Sequence, residues 1–101
     1  NFDAAILDIH HKHKKDRPSG TAIMLANKIK QFSNEEVQIS SLRIGSVPGE
    51  HKIIFSNEDE SITFTHQAFN RNVFAKGAIK AAIWGKNRLP GKLYSMEDVL
   101  L

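Results

Sequence analysis

The amino-acid sequence predicts an α+β domain with a mixed, largely antiparallel sheet of four to five strands and two main helices on one face. Short apolar runs with strand-like alternation and two segments of helical periodicity support this class, and the two kinds of segment alternate only in part along the chain. Because the helices suffice for only one face of the sheet, we expect another domain or an oligomer partner to cover the open face.

A local sequence pattern predicts each element. In chain order the elements are a strand at 4–9, a helix at 22–32, a strand at 37–44, a hairpin of strands at 52–56 and 61–67, a helix at 73–84 and a capped helical turn at 95–98. The first strand is an apolar run that ends at histidines. The first helix carries Ile23, Ala26 and Ile29 on one face, and Ser19 or Thr21 is placed to cap its start.

The later elements follow from alternation and from turn signals. The strand at 37–44 alternates at first and breaks its parity near its end. An acidic four-residue turn joins the hairpin strands, and in the second of these Ile62 and Phe64 point to one face while Thr63 and Thr65 point to the other. The helix at 73–84 has the most continuous apolar side, and Gly85 is placed to end it.

Composition narrows the class of protein. The 101 residues are 41% hydrophobic and 25% charged, as is ordinary for a single globular domain, and the net charge of +3 does not by itself imply nucleic-acid binding. No apolar run approaches the roughly 20 residues of a membrane helix, so we expect no membrane partner. With no cysteine, disulfides and thiolate metal sites are excluded, which favours a reducing, cytoplasmic location.

The chemistry of the chain is concentrated between Asp8 and Thr21, in the stretch D-I-H-H-K-H-K-K-D-R-P-S-G-T. It holds three of the five histidines, and imidazoles are the usual proton-transfer groups near neutral pH. The Pro-Ser-Gly-Thr turn then leads into a helix, whose first turn presents free backbone N–H groups to an anion. Proton donors beside such a turn predict a site for a carboxylate or a phosphate.

Other readings of the histidine cluster stay open at this point. A metal site would need a further ligand at standard spacing, which His10, His11 and His13 lack, so we expect no metal. A phosphate-backbone patch would need interleaved aromatics or a basic stripe, and a plain solvated strand end needs nothing more. In an extended strand His10 and Lys14 share one side and His11 lies on the other, so a single pocket requires a bend there.

Outside this stretch the sequence offers weaker candidates. His51 follows a Pro-Gly turn and is expected to be exposed. His66 lies in a predicted strand and is expected to be a packed or interface histidine. Arg71 stands just before the second helix, where it is either a surface residue or an anion contact.

The Asp8–Ala22 stretch resembles the signature of the dihydrodipicolinate reductase family, E-x-H-H-x-x-K-x-D-x-P-S-G-T-A. It departs from that pattern at Asp8, where the family usually has Glu, and at Arg17, where Ala is common. Three later segments resemble the family in the same order: R-x-G-x-V-P-G-E-H at 43–51, S-I-T-F-T-H at 61–66 and R-x-x-F-A-x-G-A at 71–78. The resemblance therefore covers essentially the whole chain.

The resemblance implies a function and an assembly. It implies that residues 1–101 are the C-terminal substrate-binding and oligomerisation domain of a homotetrameric enzyme, which reduces a cyclic unsaturated dicarboxylate with NADH or NADPH on the diaminopimelate route to lysine. The site residues it implies are His10 as general acid or base, Lys14 as proton donor, His11, Ser19, Gly20 and Thr21 as contacts to the substrate's carboxylates, and Arg71 and Phe74 near the nicotinamide.

The cofactor site itself is expected elsewhere. No G-x-G-x-x-G motif occurs in these residues, so the Rossmann-type dinucleotide-binding domain of the family is absent from this chain. Two other functions stay open: a non-catalytic dicarboxylate-binding or assembly module of the same fold, and an oxidoreductase of the same architecture that acts on a different cyclic acid.

Overall fold

A computed structural model describes residues 2–100. Its elements are β1 (Asp3–His10), α1 (Gly20–Lys30), β2 (Val37–Arg43), β3 (Gly49–Ser56), β4 (Ser61–Ala68), α2 (Asn72–Gly85) and α3 (Met96–Leu100). Every predicted element is present, with ends that differ from the prediction by up to three residues. The largest shift is at the start of β3, which begins at Gly49 because Gly49 and Glu50 already pair with Ala68 and Gln67 of β4.

The four strands form one sheet in the order β2-β1-β3-β4. β1 runs parallel to β2 and antiparallel to β3, and β3 and β4 form the predicted antiparallel hairpin. Since parallel neighbours need a crossover connection, α1 lies between β1 and β2 in the chain. The prediction of an α+β domain with a mixed sheet is confirmed, with four strands.

The face of the sheet that packs against α1 is built in rows that cross the strands. One row is apolar and consists of Ile39, Ile6, Ile53 and Phe64. Ile6 is buried against Ala22 and Ala26 of α1, and this contact forms the core. The next row on the same face is polar and consists of Ser41, Asp8, His51 and His66. The polar row lies on the carboxyl-terminal side of β1, next to the start of α1.

The chain divides into two compact units, residues 1–69 and 70–101. The first contains the sheet and α1, and within its described residues the face opposite α1 carries no helix. In the second, α2 and α3 contact each other, and the ring of Trp84 lies edge-on to Tyr94 at 5.0 Å and under the guanidinium of Arg88 at 4.0 Å. α1 lies on one face of the sheet as expected, and the same expectation for α2 stays a prediction.

In the part of the chain that the structure describes, no helix has both the length and the apolar character needed to cross a membrane. The longest, α2, has 14 residues, whereas a span takes roughly 20.

Candidate active site

The bend that a single pocket requires lies immediately after His10. β1 ends at this residue, whose carbonyl accepts a hydrogen bond from the N–H of Ile44 at 2.9 Å. A turn follows, in which the N–H of Lys14 donates to the carbonyl of His11 at 3.1 Å. Because β1 ends at His10 and a turn follows, the two neighbouring histidines do not alternate across an extended strand. His10 is buried and His11 is half-buried.

Asp8 is fully buried and is the centre of the site's hydrogen-bond network. One carboxylate oxygen accepts from Nη1 of Arg43 at 2.7 Å and from Nδ1 of His10 at 2.8 Å. The other accepts from the N–H of Ser19 at 2.9 Å and from the hydroxyl of Ser41 at 2.8 Å. Four donors therefore satisfy a charge that would be costly to bury alone.

The network determines the ionisation of Asp8 and the tautomer of His10. Burial by itself would raise the pKa of Asp8, but the N–H of Ser19, and then Arg43, Ser41 and His10, together hold that pKa well below its usual value. Because an ionised carboxylate only accepts hydrogen bonds, Nδ1 of His10 must carry a proton. Nε2 is then the nitrogen of His10 that remains to take up or release a proton.

The start of α1 stands next to this network. Ser19 is the N-cap, and its hydroxyl accepts from the N–H of Ala22 at 3.1 Å, which confirms one of the two predicted caps. Helix geometry leaves the N–H groups of Gly20 and Thr21 without an intrahelical acceptor. Gly20 and Thr21 are both exposed, so the helix start is open at these residues.

His51 also belongs to the site, and the expectation that it is exposed is wrong. It is half-buried, its Nε2 lies 2.9 Å from the hydroxyl of Ser19, and its ring stands edge-on to that of His10 with centroids 5.1 Å apart. Burial, and then the proximity of His10, lower the pKa of His51. The sequence signal for this position was the period-two alternation of β3, which puts residue 51 on the same face as Ile53.

Lys14 is connected to the site through the loop rather than through His10. Its Nζ lies 3.0 Å from a carboxylate oxygen of Asp16, and this contact is the main cause that lowers the pKa of Asp16. The carbonyl of Asp16 accepts from Nη2 of Arg43 at 2.6 Å, and the Arg43 side chain is only 2% exposed. Arg43 thus connects two parts of the site. One is the loop that carries Lys14, and the other is the Asp8 carboxylate, which binds His10.

The predicted site residues are therefore brought together only in part. Asp8 links His10 to Ser19, while Gly20 and Thr21 follow Ser19 at the helix start. The remaining four predicted residues occupy other positions: Lys14 and His11 lie in the loop after β1, and Arg71 and Phe74 lie at the start of α2 in the second unit. The roles assigned to all eight residues stay predictions.

Sequence analysis missed three members of the site, namely Asp8, Arg43 and His51. All three stand in segments that carry the family resemblance, yet none was assigned a role. All three are positioned by pairing between strands, since Asp8 lies opposite His51 and His10 lies opposite Arg43. A local pattern can place a residue on one face of its strand, but it does not show which residue of a neighbouring strand lies opposite.

Asp8, His10 and His51 also present ligand atoms within 4.8 Å of one another, a spacing that would admit a metal ion. The four acceptor positions of the Asp8 carboxylate are already occupied, however, and one of the donors is the cationic Arg43 at 2.7 Å. A dication beside that guanidinium would be repelled. The donor set therefore suits protons and anions better than a metal.

A surface cavity of about 340 Å³ adjoins the site, with Thr21, Leu25, His51 and Phe64 among its lining residues. A larger cavity of about 590 Å³, lined by Phe32 among others, lies towards the other end of β1 and contains none of the predicted site residues. The smaller cavity is the one next to groups that can bind an anion and move a proton.

Comparison with known proteins places the chain in a family. Residues 1–100 match the family model described as dihydrodipicolinate reductase, C-terminus. The chain belongs to this family. It is 49% identical to a 4-hydroxy-tetrahydrodipicolinate reductase of Rickettsia canadensis, with 98% of this chain and 47% of the relative aligned. It is 48% identical to the enzyme of that name from Thermosipho africanus, with 99% and 44% aligned.

A solved structure resembles the dihydrodipicolinate reductase fold seen here. It is a dipicolinate-bound dihydrodipicolinate reductase from Paenisporosarcina sp., which is 28% identical to this chain and aligns with a TM-score of 0.66. The alignment covers 76% of this chain and 37% of that one. The chain thus spans less than half the length of the relatives it matches.

Proposed function

We propose that residues 1–101 form the C-terminal substrate-binding domain of a cytoplasmic 4-hydroxy-tetrahydrodipicolinate reductase in lysine and diaminopimelate biosynthesis. The observation that carries the proposal is the Asp8 network, in which one buried carboxylate holds both a proton-carrying imidazole and the cap of an open helix start. The names of the relatives and the dipicolinate bound by the similar structure support a cyclic dicarboxylate as the substrate.

The residues of the site divide this work between binding and proton transfer. The N–H groups of Gly20 and Thr21 and the hydroxyl of Ser19 bind a substrate carboxylate at the helix start, where the backbone favours an anion. His11 and Lys14 add contacts to the carboxylates from the loop. Reduction adds a hydride to a ring carbon and leaves an electron pair in the conjugated system, which a proton from Lys14 or from Nε2 of His10 then neutralises.

The hydride comes from a nicotinamide cofactor, NADH or NADPH. The sequence of this chain does not contain the glycine motif of a dinucleotide-binding site. Its six glycines include no pair spaced as in G-x-G, the backbone feature that lets a pyrophosphate approach a helix start in such sites. We propose that the cofactor binds mainly to an N-terminal domain of the parent enzyme. Arg71 and Phe74 are proposed to lie near its nicotinamide ring.

The test uses the full-length enzyme that carries this chain. His10→Gln and Lys14→Ala are expected to lower kcat for the reduction by about 10²- to 10⁴-fold, the usual contribution of a positioned acid or base. Lys12→Ala is the control, because Lys12 lies in the same loop with an exposed side chain and should leave kcat unchanged. Steady-state kinetics with NADH and NADPH measures these rates and the preference between the cofactors.

Binding to the 101-residue chain alone gives a second measurement. We expect this chain to show no reductase activity and to bind pyridine-2,6-dicarboxylate weakly, with the binding diminished in Lys14→Ala. Calorimetry that finds equal binding by the unmodified chain and by Lys14→Ala would contradict the assigned role of Lys14. A full-length enzyme that does not reduce the cyclic dicarboxylate would contradict the proposed function as a whole.

A further inference from the structure

His51 contacts two proposed site residues but has no role in the proposed function. It extends from β3 to the start of α1, so that its ring lies between His10 of β1 and the cap of the helix. We propose that His51 is a positioning residue that donates a hydrogen bond to Ser19 and so turns the Ser19 hydroxyl proton towards the substrate carboxylate. This inference rests on the proposed function and adds a residue to its anion-binding site.

The Ser19 hydroxyl has one proton and two lone pairs with which it can form hydrogen bonds. One lone pair already accepts the N–H of Ala22 at 3.1 Å. The contact to Nε2 of His51 at 2.9 Å takes either the second lone pair or the proton. If His51 accepts the Ser19 proton, Ser19 has no proton left to donate to an anion. If His51 instead donates to the Ser19 oxygen, the Ser19 proton can be donated to a carboxylate.

The surroundings of His51 keep it neutral, so that the position of its single ring proton matters. Its neighbours are Asp8 and His10 on β1, Ser19 on α1 and His66 on β4. Burial and the adjacent imidazole of His10 both lower the pKa of His51, and the opposing effect of the Asp8 carboxylate is smaller. When a carboxylate occupies the helix start, the arrangement in which every group donates towards the anion is the one that its charge favours.

The proposed role predicts a pattern among three variants in the binding of pyridine-2,6-dicarboxylate. His51→Phe keeps a ring in the same place without a donor and should weaken binding about fivefold to tenfold, as for the loss of one hydrogen bond. His51→Gln restores a donor and should bind to within about threefold of the unmodified protein. His13→Gln is the control, since His13 is an exposed histidine that does not line the cavity next to His51.

A mutant cycle separates this role from general support of the fold. Glycine is tolerated at N-cap positions, so Ser19→Gly removes the hydroxyl at a cost of only a few tenths of a kcal/mol to the helix. If His51 acts through Ser19, His51→Phe has no further effect on affinity in the Ser19→Gly background. Equal effects of His51→Phe in both backgrounds would overturn the inference.

The tautomer can be read directly in the unmodified protein, which keeps the inference testable even where His51→Phe does not fold. In ¹⁵N-histidine spectra of the complex with pyridine-2,6-dicarboxylate, assigned with His51→Gln and His66→Gln, we expect the proton of His51 on Nε2. A proton on Nδ1 with a bare Nε2, or a His51→Phe affinity equal to that of the unmodified protein, would overturn the inference alone. Failure of the unmodified protein to bind this dicarboxylate would overturn the proposed function and the inference with it.

Discussion

Asp8 is the residue on which the geometry of the site depends. Its carboxylate is fully buried, and it accepts hydrogen bonds from donors on β1, on β2 and at the start of α1. Desolvation of a carboxylate costs several kcal/mol, which only a complete set of partners offsets. The same contacts orient His10 and Ser19, so the interactions that stabilise this buried charge also prepare the site.

Replacement of Asp8 by Asn should lower the free energy of unfolding and change its dependence on pH. At neutral pH, Asp8→Asn leaves the buried Arg43 guanidinium without its anion and should lower the free energy of unfolding by about 3–5 kcal/mol. Because the pKa of Asp8 is lowered in the fold, its stabilisation is complete above the ordinary carboxyl pKa and is lost as pH falls through that value towards the lowered one. Asp8→Asn should therefore lose less stability than the unmodified protein on acidification.

Denaturant titrations between pH 3 and pH 7 measure this dependence. Asp59→Asn serves as the control, because Asp59 is an exposed acid in the turn between β3 and β4. A variant at Asp8 that unfolds at the same denaturant concentration as Asp59→Asn across the whole range would show that the Asp8–Arg43 pair contributes no net stability.

At the level of elements, the start of α1 combines helix capping with an open surface. Ser19 satisfies one N–H of the first turn through its side chain, and the carbonyl of the same residue accepts from Ile23. The amides of Gly20 and Thr21 are left for a ligand. A helix start that is fully capped by its own chain would have no donors for a substrate, so this partial capping is what makes a binding site here.

Gly20→Ala tests whether this surface binds the dicarboxylate. The new methyl group would meet no protein atom within 4 Å, and Ala is a better helix former than Gly by up to about 1 kcal/mol, so thermal stability should hold or rise slightly. Affinity for pyridine-2,6-dicarboxylate should fall, because the methyl group adds bulk at the proposed carboxylate contact. Gly85→Ala in α2 has equal free space and is the matched control. Unchanged calorimetric affinity in Gly20→Ala would contradict a carboxylate contact at Gly20.

On the scale of the whole molecule, the two faces of the sheet differ in what covers them. Within residues 2–69, α1 packs on one face, and the opposite face presents half-buried Leu7 and Ile9 beside Leu42, which is 46% exposed. Apolar groups on an uncovered face are typical of a surface that packs against another subunit. This is the basis for proposing a homotetramer assembled through that face.

A pair of substitutions with equal exposure on opposite faces tests this assembly. Leu42 and Ile62 are each 46% exposed, but Leu42 lies on the open face and Ile62 on the face that packs against α1. Leu42→Arg should shift sedimentation from tetramer towards monomer, because the substitution buries a charge in the proposed interface. Ile62→Arg should leave the sedimentation profile unchanged. A monomeric profile for the unmodified protein at high concentration would contradict the proposed assembly.

The sequence by itself determined the class of fold and the order of the elements. It also limited the cap of α1 to Ser19 or Thr21 and placed the end of β1 at the histidines, because these features depend on residues that are close together in the chain. The sequence motifs also showed which family the chain resembles. Tertiary structure alone decided that Asp8, Arg43 and His51 belong to the site, since the Asp8–Arg43 contact spans 35 positions and the Ser19–His51 contact spans 32. Such contacts follow from strand register, which the pairing of whole strands determines and no local pattern records.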